Sequence, residues 1–306
     1  MRLIKIILLL GLLAMGPLHA WAAEAPAEST GAAHGQQHEG LTSHAVEIWS
    51  IGGFPITNSM IVTWGVALVI IIFAQIATRK MSLVPSGAQN FIEWLVESLY
   101  TFLEGVIGHQ LVKKTFWFFA TIFIFILFCN WLGLIPGFGT IGFGVKTATG
   151  FHVTEPWFRG ANADLNMTLA MAMTFFACWT VWALQTNGPI GFLVHLFAPP
   201  KGDMAGPLKA LMVVVFLAVG VLEVISILFR PVSLSFRLFG NIFAGENMLE
   251  AMARLVPGWI GSTLIPIPFY FMELLVGIVQ ALVFMLLTAV FTLLICEHEE
   301  EGSAHH

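Results

Sequence analysis

Arg237 is the residue around which any chemistry in this chain has to be built. The positions within helical reach of its guanidinium, 233, 234, 240 and 241, are Ser, Leu, Gly and Asn, so its own helix offers no carboxylate. A guanidinium does not give up its proton inside a protein. The sequence therefore predicts a permanent cation whose counter-charge comes from elsewhere, and another chain is the expected source. The same stretch, residues 206–296, is strongly apolar yet also holds Glu223, Arg230, Glu246, Glu250, Arg254 and Glu273. Charges at membrane depth cost about 2.5–3.5 kcal/mol each on insertion scales, and persist where they face water, a partner charge or a bundle interior. Glu223, Arg230 and Arg237 follow one another at heptad spacing. On a regular helix they drift by only ~20° per step and form one polar stripe. Glu273 and Gln280 repeat that spacing further on, giving a second stripe. Two such stripes on neighbouring helices can line aqueous passages whose carboxylates exchange protons. Glu250 and Arg254 are spaced as an ordinary ion ladder. Glu246 is different, because it ends the polar run Gly240-Asn241-Ile242-Phe243-Ala244-Gly245, where lipid would favour Leu. The residues alone thus predict an ion path with one fixed cation and several titratable acids, and no nucleotide-binding motif accompanies it.

The elements that must position these groups are membrane helices. Of 306 residues, 58% are hydrophobic and 10% charged, far below the ~25% charge of soluble domains. The expected fold class is an all-α polytopic membrane protein with about five crossings, the last two helices long and tilted, plus one amphipathic surface helix. Span one is expected over 59–78, closed by Arg79 and Lys80, which place that end in the cytoplasm. Residues 85–108 carry Glu93, Glu97 and Glu104 on one helical face and Phe91, Trp94, Leu95, Phe102 and Leu103 around the rest, as in a helix lying on the membrane. Span two is expected over 116–135, an external Gly- and Thr-rich loop over 137–164, and span three over 167–184. The segment 207–255 would measure ~70 Å as one helix. It must tilt strongly, lie partly in the membrane plane, or break at Pro231 or Gly240. A last helix is expected over 269–295.

The chain is expected to divide into residues 1–22 as a signal peptide, 23–45 as a polar extracytoplasmic segment, 46–296 as one membrane domain and 297–306 as an acidic cytoplasmic tail. Arg2 and Lys5, a short apolar run and Ala20-Trp21-Ala22 carry the signal-peptide reading. An uncleaved anchor is the alternative. An outside N-terminus and five crossings put the C-terminus in the cytoplasm.

Other function classes fit less well. The net charge of -5 comes largely from the tails and leaves no basic patch, so no nucleic-acid partner is expected. Cys129, Cys178 and Cys296 lack CxxC spacing and read as small core residues. The histidines are scattered through tails, loops and span ends, and His34 with His38 is the only pair at i, i+3 or i, i+4 spacing. No cofactor and no metal are expected. A stand-alone secondary transporter would be expected to show internal repeats, and none is visible.

The run Arg230-Pro231-Val232-Ser233-Leu234-Ser235-Phe236-Arg237-Leu238-Phe239-Gly240-Asn241-Ile242-Phe243-Ala244-Gly245-Glu246 closely resembles the signature of subunit a of bacterial F-type ATP synthases. Ala161-Asn162-Ala163-Asp164-Leu165-Asn166-Met167-Thr168-Leu169 and Gln280-Ala281-Leu282-Val283-Phe284 support it, and the resemblance covers about residues 45–296. It implies a proton-channel stator in the bacterial inner membrane, not catalytic by itself, working with a c-ring and the peripheral-stalk subunit b and surrounded by lipid. It also implies that Arg237 faces the c-ring carboxylate between two half-channels. Glu223, Glu246, Asn241, Glu273 and Gln280 would then line those channels, with Ser233 a weaker candidate. Glu273 departs from the best-known bacterial member, which has histidine there while keeping the acid matching Glu246. Two acids in one passage compete for a proton, which suits relay. A sodium-translocating version of the same subunit is the alternative.

Overall fold

A computed structural model describes residues 45–51, 54–137, 141–147, 150–197, 207–256, 258 and 263–296. The expected signal peptide and the acidic tail lie outside the described residues. The chain enters through a small antiparallel hairpin, β1 (Glu47–Ile51) and β2 (Phe54–Thr57), with Glu47 opposite Thr57 and Ile51 opposite Phe54. Helix α1 (Asn58–Thr78) follows as the first span. Its apolar run is uninterrupted, and in lipid a helix satisfies its backbone hydrogen bonds internally.

The amphipathic stretch forms α2 (Ala88–Ile107), and α3 (His109–Gly133) starts one residue later. Gly108 sits between them at φ 76. A side chain is strained in that left-handed region, so glycine permits the abrupt change of direction. Leu99, Leu103 and Ile107 of α2 are buried, in one core with Val112, Phe118 and Phe119 of α3. Phe91, Trp94 and Phe102 remain outward and exposed.

The external loop is more ordered than its Gly and Thr content predicts. It contains a second antiparallel hairpin, β3 (Gly142–Thr147) with β4 (Gly150–Pro156), and a 3-10 turn at Ala161–Ala163. Alternating apolar and small or polar residues are compatible with a two-stranded ladder there. Helix α4 (Leu165–Phe197) runs well past the expected end of span three, but kinks at Gly188, φ 67, just before Pro189. A proline restricts the residue before it away from the helical region, and glycine accepts the resulting angle.

Helix α5 (Pro207–Leu255) continues through both Pro231 and Gly240. At 1.5 Å per residue it is about 74 Å long, more than twice the thickness of the hydrocarbon. Of the three arrangements open to the sequence, a break is therefore ruled out. In lipid a broken helix would leave several backbone groups without partners, whereas one internal proline removes a single donor. Its packed face consists of Ile227, Leu234, Leu238, Ile242 and Leu249. Thr168 Oγ1 and Ser235 Oγ share a buried hydrogen bond of 3.0 Å between α4 and α5. Helix α6 (Pro266–Cys296) returns along α3, α4 and α5. Trp179 Nε1 of α4 donates to Phe291 O of α6 over 3.0 Å, and Asn187 Nδ2 to Ile295 O over 2.9 Å.

The described helices include five that are long and apolar enough to cross a membrane, α1, α3, α4, α5 and α6. The expected fold class is the observed one: an all-α multi-pass membrane protein, with α2 as the additional amphipathic helix.

Candidate functional site

Arg237 lies on the exposed face of α5. Ser233, Phe236, Gly240, Asn241 and Ala244 share that face, while Leu234, Ser235, Leu238, Ile242 and Gly245 turn inward. Helical periodicity produces this division, because positions three and four apart fall on one side. Among the described residues no carboxylate pairs with Arg237, as its sequence neighbours predict. A Cβ built on Gly240 would meet nothing within 4 Å. Small residues beside the guanidinium leave the outer surface of α5 open to close approach. Only 17% of the most apolar window of α5 is buried, against 28% or more in each of the other four spans.

From this outer stripe a polar series runs inward. Asn241 Nδ2 donates to Gln280 Oε1 of α6 over 2.7 Å, joining the two stripes that the sequence predicts would face each other. Gln280 and Glu273 are both buried on α6, and their heptad spacing separates them by ~10 Å along the axis. The Glu273 carboxylate rests on Gly245 of α5, where a Cβ would overlap it. The next residue, Glu246, is turned about 100° further around α5. Its carboxylate lies against Gly160, where a Cβ would again overlap it, and 3.5 Å from the position of a Cβ on Gly133. Gly133 and Gly160 themselves approach so closely that this Cβ would stand 3.1 Å from the Gly160 Cα. Three glycines thus let two carboxylates occupy space that a side chain would otherwise fill.

Beyond Glu246 the polar series reaches the segment before α4. Arg159, 5% exposed, donates from Nη2 to Ala163 O over 2.9 Å and sits 6.0 Å from the centroid of the Phe243 ring. Burial pulls its guanidinium below its ordinary proton affinity, and the nearby Glu246 and Asp164 carboxylates oppose that pull. Asp164 Oδ2 accepts from Ser59 Oγ of α1 over 2.5 Å, and its Oδ1 accepts from the Asn166 amide over 3.0 Å. Asn162 Nδ2 donates to Asn130 Oδ1 over 2.6 Å, and Asn130 Nδ2 to Gly277 O of α6 over 3.0 Å. Asn58 Oδ1, Asn162 Oδ1 and Glu273 Oε1 are buried without a hydrogen-bond partner among the described residues.

Glu223 stands apart from this series, toward the start of α5. Its Oε1 accepts from Arg230 Nη2 over 2.8 Å, and Arg230 Cζ lies 4.6 Å from the Phe291 ring centroid. Arg254 likewise donates to Glu250 on its own helix. Arg230 and Arg254 therefore have carboxylates within α5, whereas Arg237 has none there.

A profile of the family described as ATP synthase A chain matches residues 60–292, from α1 through most of α6. The chain belongs to that family. Proteins called ATP synthase subunit a are similar to it over most of their length. The one from Gloeobacter violaceus is 34% identical over 259 residues, 84% of this chain and 90% of that protein. The one from Moorella thermoacetica is 31% identical over 246 residues, 80% and 94% of the two chains. The one from Campylobacter concisus is 34% identical over 238 residues, 76% and 88%. Membership of the ATP synthase A chain family makes this an ion-translocating membrane subunit that is not catalytic by itself.

Within this member of the ATP synthase A chain family, the polar cluster is larger than the sequence predicts. Asn130, Arg159, Asn162 and Asp164 are separate marks along the chain, on a span, a loop and a turn. The available signals were a lone Asn in an apolar run and a loop carrying both signs of charge. Neither reveals a shared location.

Proposed function

We propose that this chain is the stator channel subunit of a proton-driven F-type ATP synthase, providing two half-channels that load and unload the carboxylates of a rotating c-ring. The observation that carries the reading is Arg237. It is a permanent cation on the open face of a membrane helix, flanked by small residues, with no carboxylate partner on its own chain among the described residues. A ring carboxylate that has lost its proton passes this guanidinium as an ion pair. The fixed charge raises the cost of a bare proton crossing directly.

The outer half-channel runs through Asp164, Glu246, Glu273, Gln280 and Asn241 to the Arg237 face. Support comes from the Asn241–Gln280 hydrogen bond, the buried placement of Glu273 and Gln280, and the unpartnered Glu273 Oε1. Buried oxygens without partners are rare in a static core. Glu223, half-exposed on the preceding turns of α5, serves the inner half-channel, and its pairing with Arg230 holds it at the edge of that passage. Ser233, one turn before Arg237 on the open face, is the weaker candidate for the channel lining. The orientation has the N-terminus outside and the C-terminus in the cytoplasm of a bacterial inner membrane, which fits Arg79 and Lys80 at the end of α1. Subunit b of the peripheral stalk is the expected stationary partner. The driving force suffices, since one charge crossing 100 mV carries about 2.3 kcal/mol.

ATP-driven acidification of inverted membrane vesicles tests this reading. Arg237→Ala should abolish pumping while Arg254→Ala, which removes a cation already paired on its own helix, leaves it intact. Normal pumping by Arg237→Ala would overturn the mechanism. Pumping that proceeds unchanged in sodium-free medium identifies the proton as the cargo, and dependence on added sodium would exclude it.

A further inference from the structure

We infer that Arg159 is a second fixed cation of this subunit, a positioning residue that holds the Glu246 carboxylate at the mouth of the outer half-channel and keeps it ready to release its proton. The inference rests on the proposed role of Glu246 in that channel.

Geometry carries it. Glu246 is held from three sides: by the Gly160 backbone, by Gly133 of α3 and by its own helix. Gly160 is the immediate neighbour of Arg159, so the backbone that cradles the carboxylate also delivers the guanidinium. That guanidinium donates from Nη2 to Ala163 O and lies 6.0 Å from the centroid of Phe243, one turn before Glu246 on α5. It is buried away from bulk water, where a nearby charge acts more strongly than in the solvent. The charged groups around Glu246 are Arg159 and, beyond it, Asp164 from the segment before α4, and Glu273 from α6. The contact from helix α3 is the uncharged Gly133. On α5 itself, Glu250 is engaged by Arg254. Arg159 is thus the one cation in this group, set against three carboxylates. Without it, Glu246 would face only Glu273 and Asp164 and would hold its proton more tightly, slowing transfer onward to the ring.

The sign of the effect follows. A nearby opposite charge favours ionisation of a carboxyl, displacing its titration by up to about 1–3 pH units. Inverted vesicles bearing the assembled complex are energised by an imposed lumenal pH and a potassium diffusion potential, with the total driving force held constant while the lumenal pH is varied. For Arg159→Gln the lumenal pH at half-maximal ATP synthesis should move alkaline by about one unit or more, with a lower plateau. Arg159→Lys should bring the midpoint back toward wild type. A wild-type midpoint in Arg159→Gln overturns the inference, as does an equal shift in Arg159→Lys, which would make the role one of shape rather than charge. If Arg159→Gln fails to assemble, Arg159→Gln combined with Glu246→Gln decides by immunoblot of the purified complex. Restored assembly supports charge compensation between the two residues, and continued loss overturns it. Glu246→Gln alone separates the two levels. Wild-type transport by that variant would sink the channel role itself, whereas an inactive Glu246→Gln beside a wild-type midpoint in Arg159→Gln would sink only the role of Arg159.

Discussion

At Gly245 and Gly160 the absence of a side chain is what admits a carboxylate, so the smallest additions there should have large effects. Gly245→Ala would drive a Cβ into the Glu273 carboxylate, and Gly160→Ala would do the same to Glu246. Alanine is the better helix former by about 1 kcal/mol, so Gly245→Ala should cut proton pumping several-fold although local helix propensity rises. Pumping rates compared with the amount of assembled complex in the same vesicles check this. Glu273→Gln keeps the size of the side chain and removes its titration. We expect it to lower flux and to alter the pH dependence of pumping, and an unchanged profile would remove Glu273 from the path. Both acids were legible in the sequence as charges at membrane depth. Their glycine cradles were not, because Gly133, Gly160 and Gly245 belong to three separate segments that only packing brings to the carboxylates.

Helix α5 shows how one element serves two environments. Its inner face packs through Leu234, Leu238 and Ile242, while its outer face carries Ser233, Arg237, Gly240 and Ala244. On the proposed reading, in which a c-ring helix faces this side, cysteines placed at 240 or 244 should form disulfides with cysteines on that helix under oxidation. Cysteines at the buried positions 238 or 242 should not. Non-reducing electrophoresis of the membranes distinguishes the two sets. The heptad spacing of the charges predicted the polar stripe, and the Asn241–Gln280 hydrogen bond between α5 and α6 is where the two stripes meet. Removing both amides, as Asn241→Ala with Gln280→Ala, should cost less than the sum of the single changes, because residues sharing one hydrogen bond are not additive.

Taken whole, the molecule is built around an asymmetry. The cluster of Asn130, Arg159, Asn162, Asp164, Glu246 and Glu273 joins α3, α5, α6 and the segment before α4. The Glu223–Arg230 pair lies on the earlier part of α5. Along α5, Arg237 falls between that pair and Glu246. That order suits the proposed pair of half-channels, each open to one side and meeting at the fixed cation. The proposed topology predicts that a cysteine at the exposed position 143, on β3 in the external hairpin, is labelled by an impermeant maleimide in intact cells. One at position 80, after α1, should react only in inverted vesicles.

The sequence could determine that lipid is the solvent, because composition and long uncharged runs depend on no long-range contact. It also determined that Arg237 lacks a carboxylate on its own helix, since helical reach is a matter of local spacing. Its family signature is likewise a local string of residues. Tertiary structure decided the rest. Helix α5 stays unbroken through Pro231, and the segment before α4 brings the Gly160 backbone against Glu246. Both outcomes depend on which distant surfaces meet, and periodicity along one chain does not encode that meeting.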